Sequence, residues 1–331
     1  MSHVFRRFVP ALGLAAVSTL LLAGCSGAAD VATAVTAESS APTAAIIDNC
    51  GTPVDTTAAP QRIVTIKSTA TEMLLALGLG DRIVGSAFQD GPVPSQWAGT
   101  DIPVISDFAP SQEAVLALEP DFVFAGWESM LTPEAAGDRA SLSGLGIGSY
   151  VAPSACKEAD YKPAKLGFDD VFAEIEEAGQ VFHAEDAATT LVADQKAELA
   201  TITPDDRSLT ALWYSSGTDT PYVGAGIGAP QMIMEKLGLT NIAAGIDDTW
   251  SSLGWEAIVD ANPDVIVLVD ASWNTADSKI AQLKANPATA QLDAVVGSRY
   301  LVVPFPAGEA GVRNVAATAD LDAQLAALDI R

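Results

Sequence analysis

Residues 113–124 read EAVLALEPDFVF, and residues 256–267 repeat the pattern as EAIVDANPDVIV. Each copy places an amphipathic stretch before Pro-Asp and an apolar run after it, which predicts a helix leading into a buried strand. A second echo is Leu-Gly-Leu at 77–79 and at 237–239, where a predicted helix ends. Because the two echoes have different offsets, they predict two related lobes with insertions rather than a tight tandem array.

Short β-branched runs alternate with amphipathic stretches along the rest of the chain. The runs lie at 62–66, 82–87, 121–126, 147–152, 208–216, 264–270 and 299–303. This alternation predicts an α/β fold in which each lobe has a parallel-sheet core flanked by helices. Residues 169–202 hold no proline and one glycine, Gly179, and predict one long interlobe helix with a kink or break near 179–185.

Composition excludes several classes of function. Of 331 residues, 17 are basic and 42 acidic, giving a formal charge of −25 that repels a nucleic-acid backbone. With only His3 and His183 present, a catalytic or metal site that needs several imidazoles cannot be assembled. Zinc enzymes, histidine-rich metal carriers and Ser-His-Asp hydrolases are therefore disfavoured, and no nucleophile with a base beside it is visible in the sequence. We expect no metal, no cofactor, no catalytic residues and no enzyme activity.

The amino terminus has the pattern of an exported protein. Residues 1–24 combine two arginines with a short apolar core and small residues, which predicts a signal peptide. The ending Leu-Ala-Gly-Cys25 resembles a bacterial lipobox, so Cys25 is the predicted lipidation site and 25–50 the lipid anchor and flexible linker. We expect an N-terminal lobe at 51–165, the interlobe helix at 166–204 and a C-terminal lobe at 205–331.

Two further cysteines, Cys50 and Cys156, form an even pair once Cys25 carries lipid. In an oxidising compartment such a pair predicts a disulfide. The alternative is two unrelated thiols, buried or free.

The segment PQRIVTIKSTATEMLLALGLGDRIVG at 60–85, together with Ser-Gln-Glu113 before Pro-Asp, is similar to the iron-siderophore and cobalamin type of ABC-transporter substrate-binding protein. The resemblance covers 51–331. It implies a solute held between two lobes with little hinge motion, delivered to an ABC permease and its ATPase subunits by a lipid-anchored monomer outside the cytoplasm. It also implies that Glu113 and Glu256 dock the permease, although glutamate near a helix start is equally a common surface feature.

A narrower resemblance concerns the solute. The segments SACKE, DTPYVGAGIGAPQM and VVPFPAGEAGVR are similar to an actinobacterial subgroup proposed to carry coenzyme F420-0, a deazaflavin precursor. An iron-siderophore, haem or cobalamin binding protein is the alternative within the class. A secreted α/β enzyme or nucleotide-binding protein that uses the glycine-rich loop at 224–228 is the alternative from another class.

A flavin-like ring with an anionic tail needs aromatic and cationic side chains, and these are expected at the carboxyl ends of parallel strands. Lys67, Ser68 and Thr69 follow the first strand and form the first-ranked anion site, with a surface lysine beside an ordinary helix cap as the alternative. The other predicted ligand-binding residues, each of which has core packing or plain exposure as its alternative, are Trp127, Glu128, Lys157, Tyr214, Tyr222, Trp273, Asn274 and Arg313.

Overall fold

The structure is a computed structural model that describes residues 46–330 of the chain. The predicted signal peptide, Cys25 and most of the predicted linker lie outside the described residues. The described residues belong to one compact unit. Among them, no helix is both long and apolar enough to cross a membrane.

The first lobe is built on a five-stranded parallel sheet. Its strands are β3 (Ile63–Ile66), β4 (Ile83–Ala87), β5 (Val104–Ser106), β6 (Phe122–Ala125) and β7 (Gly148–Val151), preceded by the antiparallel hairpin β1 (Ile46–Asn49) and β2 (Thr52–Asp55). The helices are α1 (Ser68–Ala76), α2 (Gln112–Leu116) and α3 (Arg139–Gly144). In space the order is β5-β4-β3-β6-β7. Four of these strands match the predicted runs, whereas the short edge strand β5 and the hairpin were not predicted.

The single long interlobe helix is replaced by two helices, α4 (Phe168–Phe182) and α5 (Glu185–Leu199). The break lies at His183, whose φ of 52° is left-handed, within the stretch where a kink or break was expected. The chain folds back there so closely that a Cβ on Gly179 would lie 2.6 Å from the Cβ of Ala188. Phe182 of α4 packs on Phe124 of the first sheet, with ring centroids 5.4 Å apart.

The second lobe holds a six-stranded mixed sheet. Its strands are β8 (Thr210–Ser216), β9 (Tyr222–Gly224), β10 (Thr240–Asn241), β11 (Trp250–Ser252), β12 (Val265–Asp270) and β13 (Tyr300–Pro304). The order is β11-β9-β8-β12-β13, with β10 beside β8. The predicted strands β8, β12 and β13 are parallel, but β9 and β11 are antiparallel. The short connection from β8 to β9 accounts for that difference, since it is too short for a parallel crossover.

Five helices complete the second lobe. They are α6 (Ala229–Lys236), α7 (Trp255–Ala261), α8 (Ala276–Ala285), α9 (Asp293–Val296) and α10 (Asn314–Ala326). The helices α1 and α6 end alike, because Gly78 and Gly238 adopt φ of 74° and 77°. The residue after each glycine donates its N–H back to the preceding turn, as in a Schellman motif.

The Pro-Asp echo has a structural cause in both lobes. Asp121 at the start of β6 accepts the backbone N–H of Gln61 and of Arg62, at 2.8 and 2.9 Å, just before β3. Asp264 at the start of β12 accepts the N–H and the hydroxyl of Thr210, both at 2.8 Å, at the start of β8. Each aspartate thereby fixes the register of its strand against the neighbouring parallel strand.

Alternating side chains divide the apolar interior into three clusters. Phe124 of β6 and Val267 of β12 point into a central core that draws on both lobes. Their neighbours Val123 and Ile266 point to the outer core of their own lobe. The lobes are therefore two sheets with a shared apolar interior, in which α4 and α5 also take part.

Cys50, in the turn of the β1–β2 hairpin, is joined to Cys156 in a disulfide with a Cα–Cα distance of 5.4 Å. The bond spans a sequence separation of 106 and ties the hairpin to the loop after β7.

We predict that Cys50→Ser with Cys156→Ser lowers the free energy of unfolding by about 3 kcal/mol, because the unfolded chain loses a long covalent loop. Urea unfolding of the Cys25→Ser protein with and without the pair measures this. In the Cys25→Ser protein that keeps the pair, alkylation without reductant should leave Cys50 and Cys156 unmodified. Two modified thiols, or equal stability of both proteins, would contradict the prediction.

Candidate functional site

A seam of buried charged groups joins the two lobes. Glu72 of α1 is 2% exposed, and both of its carboxylate oxygens accept hydrogen bonds from the guanidinium of Arg313, which lies 241 residues further along the chain. The Nε–Oε2 bond measures 2.5 Å. Burial raises the pKa of Glu72, and the hydrogen bonds from Arg313 oppose that rise. Arg313 therefore links the two lobes, and its charge is paired with that of Glu72.

The predicted anion site at Lys67 is filled by a carboxylate of the protein itself. Lys67 is 1% exposed and forms an ion pair with Asp90, while its Nζ lies 3.6 Å from the ring centroid of Trp127 and 4.1 Å from that of Phe88. Burial lowers the pKa of Lys67, and the negative charge of Asp90 partly offsets this by raising it. The backbone N–H of Asp90 also donates to the Ser68 hydroxyl, at 2.8 Å. Lys67 and Ser68 thus face Asp90 rather than an open cleft.

A strap of the second lobe, residues 305–313, reaches into the first lobe. Trp127 donates its indole N–H to Glu309 at 2.9 Å, and Gln195 of α5 donates to the carbonyl of Val312 at 2.8 Å. Burial raises the pKa of Glu309, opposed by the hydrogen bond from Trp127 and by the charge of Lys67. The strap turns at Gly311, whose φ of +154° few other residues adopt.

Beside this seam lies a cleft of about 510 Å³ that both lobes line. The first lobe contributes residues that follow β3, β6 and β7, and the second contributes β9, β11 and the strap. Its side-chain lining includes Thr69, Trp127, Ser129, Ser154, Lys157, Lys162, Tyr222, Asp248, Trp250 and Glu309.

Two aromatic rings form a shelf on the second-lobe wall of the cleft. Tyr222 of β9 and Trp250 of β11 are stacked, with centroids 6.2 Å apart and planes inclined by 14°. They lie diagonally across the antiparallel pair, since Tyr222 is opposite Ser252 and Trp250 is opposite Gly224, and Tyr222 remains 42% exposed. Trp127 belongs to the opposite wall. The shelf offers a flat π surface to a solute.

Of the predicted ligand-binding residues, the structure brings Thr69, Trp127, Lys157 and Tyr222 to this cleft. Their contact with a solute stays a prediction. Glu128 accepts the backbone N–H of Lys157 at 2.6 Å and so shapes the cleft wall instead.

The remaining predicted residues of the second lobe lie away from the cleft lining. Tyr214 is buried and donates its hydroxyl to the carbonyl of Gly217 at 2.6 Å. Trp273 is 58% exposed beside Phe305, and Asn274 accepts from the hydroxyl of Ser278 at 3.1 Å.

Sequence reasoning missed Lys162, Asp248, Trp250 and Glu309. Trp250 lies on an antiparallel strand that has no strong sequence pattern. Lys162 had a usable signal, because 157–165 holds three lysines in a strongly acidic chain. Asp248 and Glu309 are ordinary loop acids in sequence, and only the fold shows that they line the cleft.

Glu113 and Glu256 occupy matching places in the two lobes. Each is exposed in the first turn of its helix, α2 or α7, immediately before the strand that carries the echo. Neither side chain has a hydrogen bond or ion pair with any other residue in 46–330. Within the same range, no group of three His, Cys, Asp or Glu side chains is arranged to hold a metal ion.

Comparison with known proteins agrees with this architecture. Residues 63–299 match the family model described as periplasmic binding protein, and the chain belongs to that family. It is similar to an uncharacterized ABC transporter substrate-binding lipoprotein, YvrC of Bacillus subtilis, with 30% identity over 270 residues, 78% of this chain and 79% of that protein. A solved periplasmic binding protein from Veillonella parvula superposes with a TM-score of 0.74 at 27% identity, covering 86% of this chain and 98% of that one.

A third relative carries a named ligand. The cobalamin-binding protein of Halobacterium salinarum is 29% identical over 233 residues, which is 66% of this chain and 57% of that protein. These relatives place the chain among the ABC-transporter substrate-binding proteins. Such proteins bind small solutes and work with a permease and an ATPase, and they are not enzymes.

Beneath the cleft wall, Glu174 of α4 is a buried carboxylate without a cation. It accepts the backbone N–H of Ser154 at 3.2 Å, and burial raises its pKa to about 7 from 4.5. Between pH 4.5 and 7 the folded protein therefore holds a proton that the unfolded chain has lost, so stability falls as pH rises through that window.

We predict that Glu174→Gln removes this fall and raises the free energy of unfolding at pH 8 by up to about 3 kcal/mol, since the amide oxygen still accepts from Ser154. Urea unfolding at several pH values measures the effect, with the exposed Glu176→Gln as the matched control. A variant whose stability keeps the wild-type slope from pH 4.5 to 7 would contradict it.

Proposed function

We propose that the chain is the extracytoplasmic, lipid-anchored receptor of an ABC importer that captures a polar, ring-containing solute, and that this solute is coenzyme F420-0. The observation that carries the proposal is the stacked pair Tyr222 and Trp250 on one wall of an interlobe cleft, opposite Trp127. A planar heterocycle placed on this shelf can stack one of its faces on the aromatic rings. The lipid anchor at Cys25 rests on the lipobox resemblance.

A corrinoid is the rival solute that has specific support, because the cobalamin-binding protein of Halobacterium salinarum is among the relatives. Ferric siderophores and haem remain alternatives from the family resemblance. The cleft, at about 510 Å³, lies within the usual range of small-molecule sites.

We predict that coenzyme F420-0 raises the unfolding temperature, while cyanocobalamin, haemin and a ferric hydroxamate do not. A ligand at about 100 times its dissociation constant adds about 2.7 kcal/mol of native stability. Trp250→Ala should weaken binding about tenfold through the loss of stacking. Val296→Ala, which removes an exposed side chain outside the cleft, should bind normally. If cyanocobalamin alone raised the unfolding temperature, a corrinoid would take the place of coenzyme F420-0 as the proposed solute.

We further propose that Glu113 and Glu256 contact cationic groups of the permease. Their exposure, their equivalent positions and their lack of partners among the described residues support this. Charges at an interface rim mainly set orientation and association rate.

We predict that Glu113→Lys with Glu256→Lys stops solute uptake by cells carrying the importer and leaves solute affinity unchanged, because both residues lie outside the cleft lining. The control is Glu134→Lys with Asp277→Lys, an equal change of charge at other exposed acids. Normal uptake by the first variant, or equal loss in both, would refute docking through this pair.

A further inference from the structure

We infer that Lys157 and Lys162 form an oxyanion-binding subsite on the first-lobe wall of the cleft, so that the captured solute carries a carboxylate or phosphate-type group. The inference concerns the site of the proposed function and rests on that function. It moves the anion site from Lys67, whose ammonium is already paired, to a loop at the cleft edge.

Lys157 and Lys162 differ from the other described cations of the first lobe. In the part of the first lobe that the structure describes, the other lysine and arginine side chains are all engaged. Arg62 and Arg82 donate to backbone carbonyls, Lys67 pairs with Asp90, Arg139 donates to Asn49 and Ser149, and Lys165 pairs with Glu235. The ammonium groups of Lys157 and Lys162 have no hydrogen bond or ion pair with any described residue. Both line the cleft.

The loop that carries Lys157 and Lys162 is held in place without the use of their charges, in a chain of formal charge −25. Their loop, residues 153–166, is pinned by contacts that do not use the two ammonium groups. Cys156 is bonded to Cys50, and Tyr161 donates its hydroxyl to Asp48 at 2.8 Å. The backbone N–H of Leu166 donates to the carbonyl of Ile227 in the second lobe, at 2.8 Å. The loop backbone is fixed while both charges remain available.

The two walls of the cleft differ in charge. The second-lobe wall carries Asp248 and Glu309 together with the aromatic shelf, and among residues 205–330 no lysine or arginine lines the cleft. Lys157 acts on Glu309 through its charge without pairing with it. A solute whose ring lies on the shelf and whose oxyanion points to the loop matches this arrangement. An oxyanion accepts charge-assisted hydrogen bonds from both ammonium groups.

The test does not need the natural solute. Lysines of the full chain are reductively dimethylated with ¹³C, which keeps their charge, and the methyl signals are assigned with Lys157→Arg and Lys162→Arg. Inorganic phosphate and acetate are then titrated separately at constant ionic strength. We expect the signals of both lysines to shift with one shared midpoint, while that of Lys284, an exposed and unpaired lysine of α8, stays nearly still.

The two titrations distinguish a phosphate from a carboxylate by which anion has the lower midpoint. Shifts no larger than that of Lys284, or a response from one lysine alone, would overturn the subsite. These outcomes are independent of coenzyme F420-0. If that compound binds, Lys157→Gln with Lys162→Gln should weaken it about tenfold and abolish the salt dependence of binding, whereas Lys284→Gln should not. If this double variant bound coenzyme F420-0 as tightly as the parent protein, the proposed solute would stand and the proposed subsite would be refuted.

Discussion

The buried ion pair between Glu72 and Arg313 is the constraint on which the relation between the lobes depends. A buried carboxylate that loses its cation is costly, because no water replaces the lost partner. Glu72 is on the first helix of one lobe and Arg313 precedes the last helix of the other, so the pair exists only when the lobes are in contact. Together with the shared apolar core, it favours a fixed interlobe geometry over wide opening.

The seam also determines where a solute can bind. Lys67, Asp90 and Trp127 fill the centre of the interface, where the first parallel strand ends. The open space lies to one side, at the ends of β6 and β7 and beside the antiparallel strands β9 and β11. Solute recognition is therefore assigned to edge elements and loops that a rigid scaffold positions.

The repeated helix–strand units were predictable from sequence because the same residue types fill the same structural positions in both copies. Asp121 and Asp264 hold the starts of neighbouring strands, and Gly78 and Gly238 end helices in the left-handed region, so both leave local patterns. The site was less predictable. Lys67 follows a parallel strand and opens a helix, which is the usual position of an anion site, yet Asp90, far from it in sequence, occupies that position. Trp250 stacks on Tyr222 only through a short antiparallel pairing, for which no periodic signal exists.

Net charge and local charge operate over different distances in this protein. At physiological ionic strength fields decay over about 8 Å, so the acidic surface repels an approaching polyanion but does not govern contacts inside the cleft. A small anionic solute that reaches the cleft meets Lys157 and Lys162 at close range, with their charges uncompensated by hydrogen-bonded partners among the described residues. The strongly acidic composition that excludes nucleic acid is thus compatible with binding a small oxyanion. Because this chain has few cations, two that line one wall of the cleft without a hydrogen-bonded partner among the described residues are the natural contacts for an oxyanion.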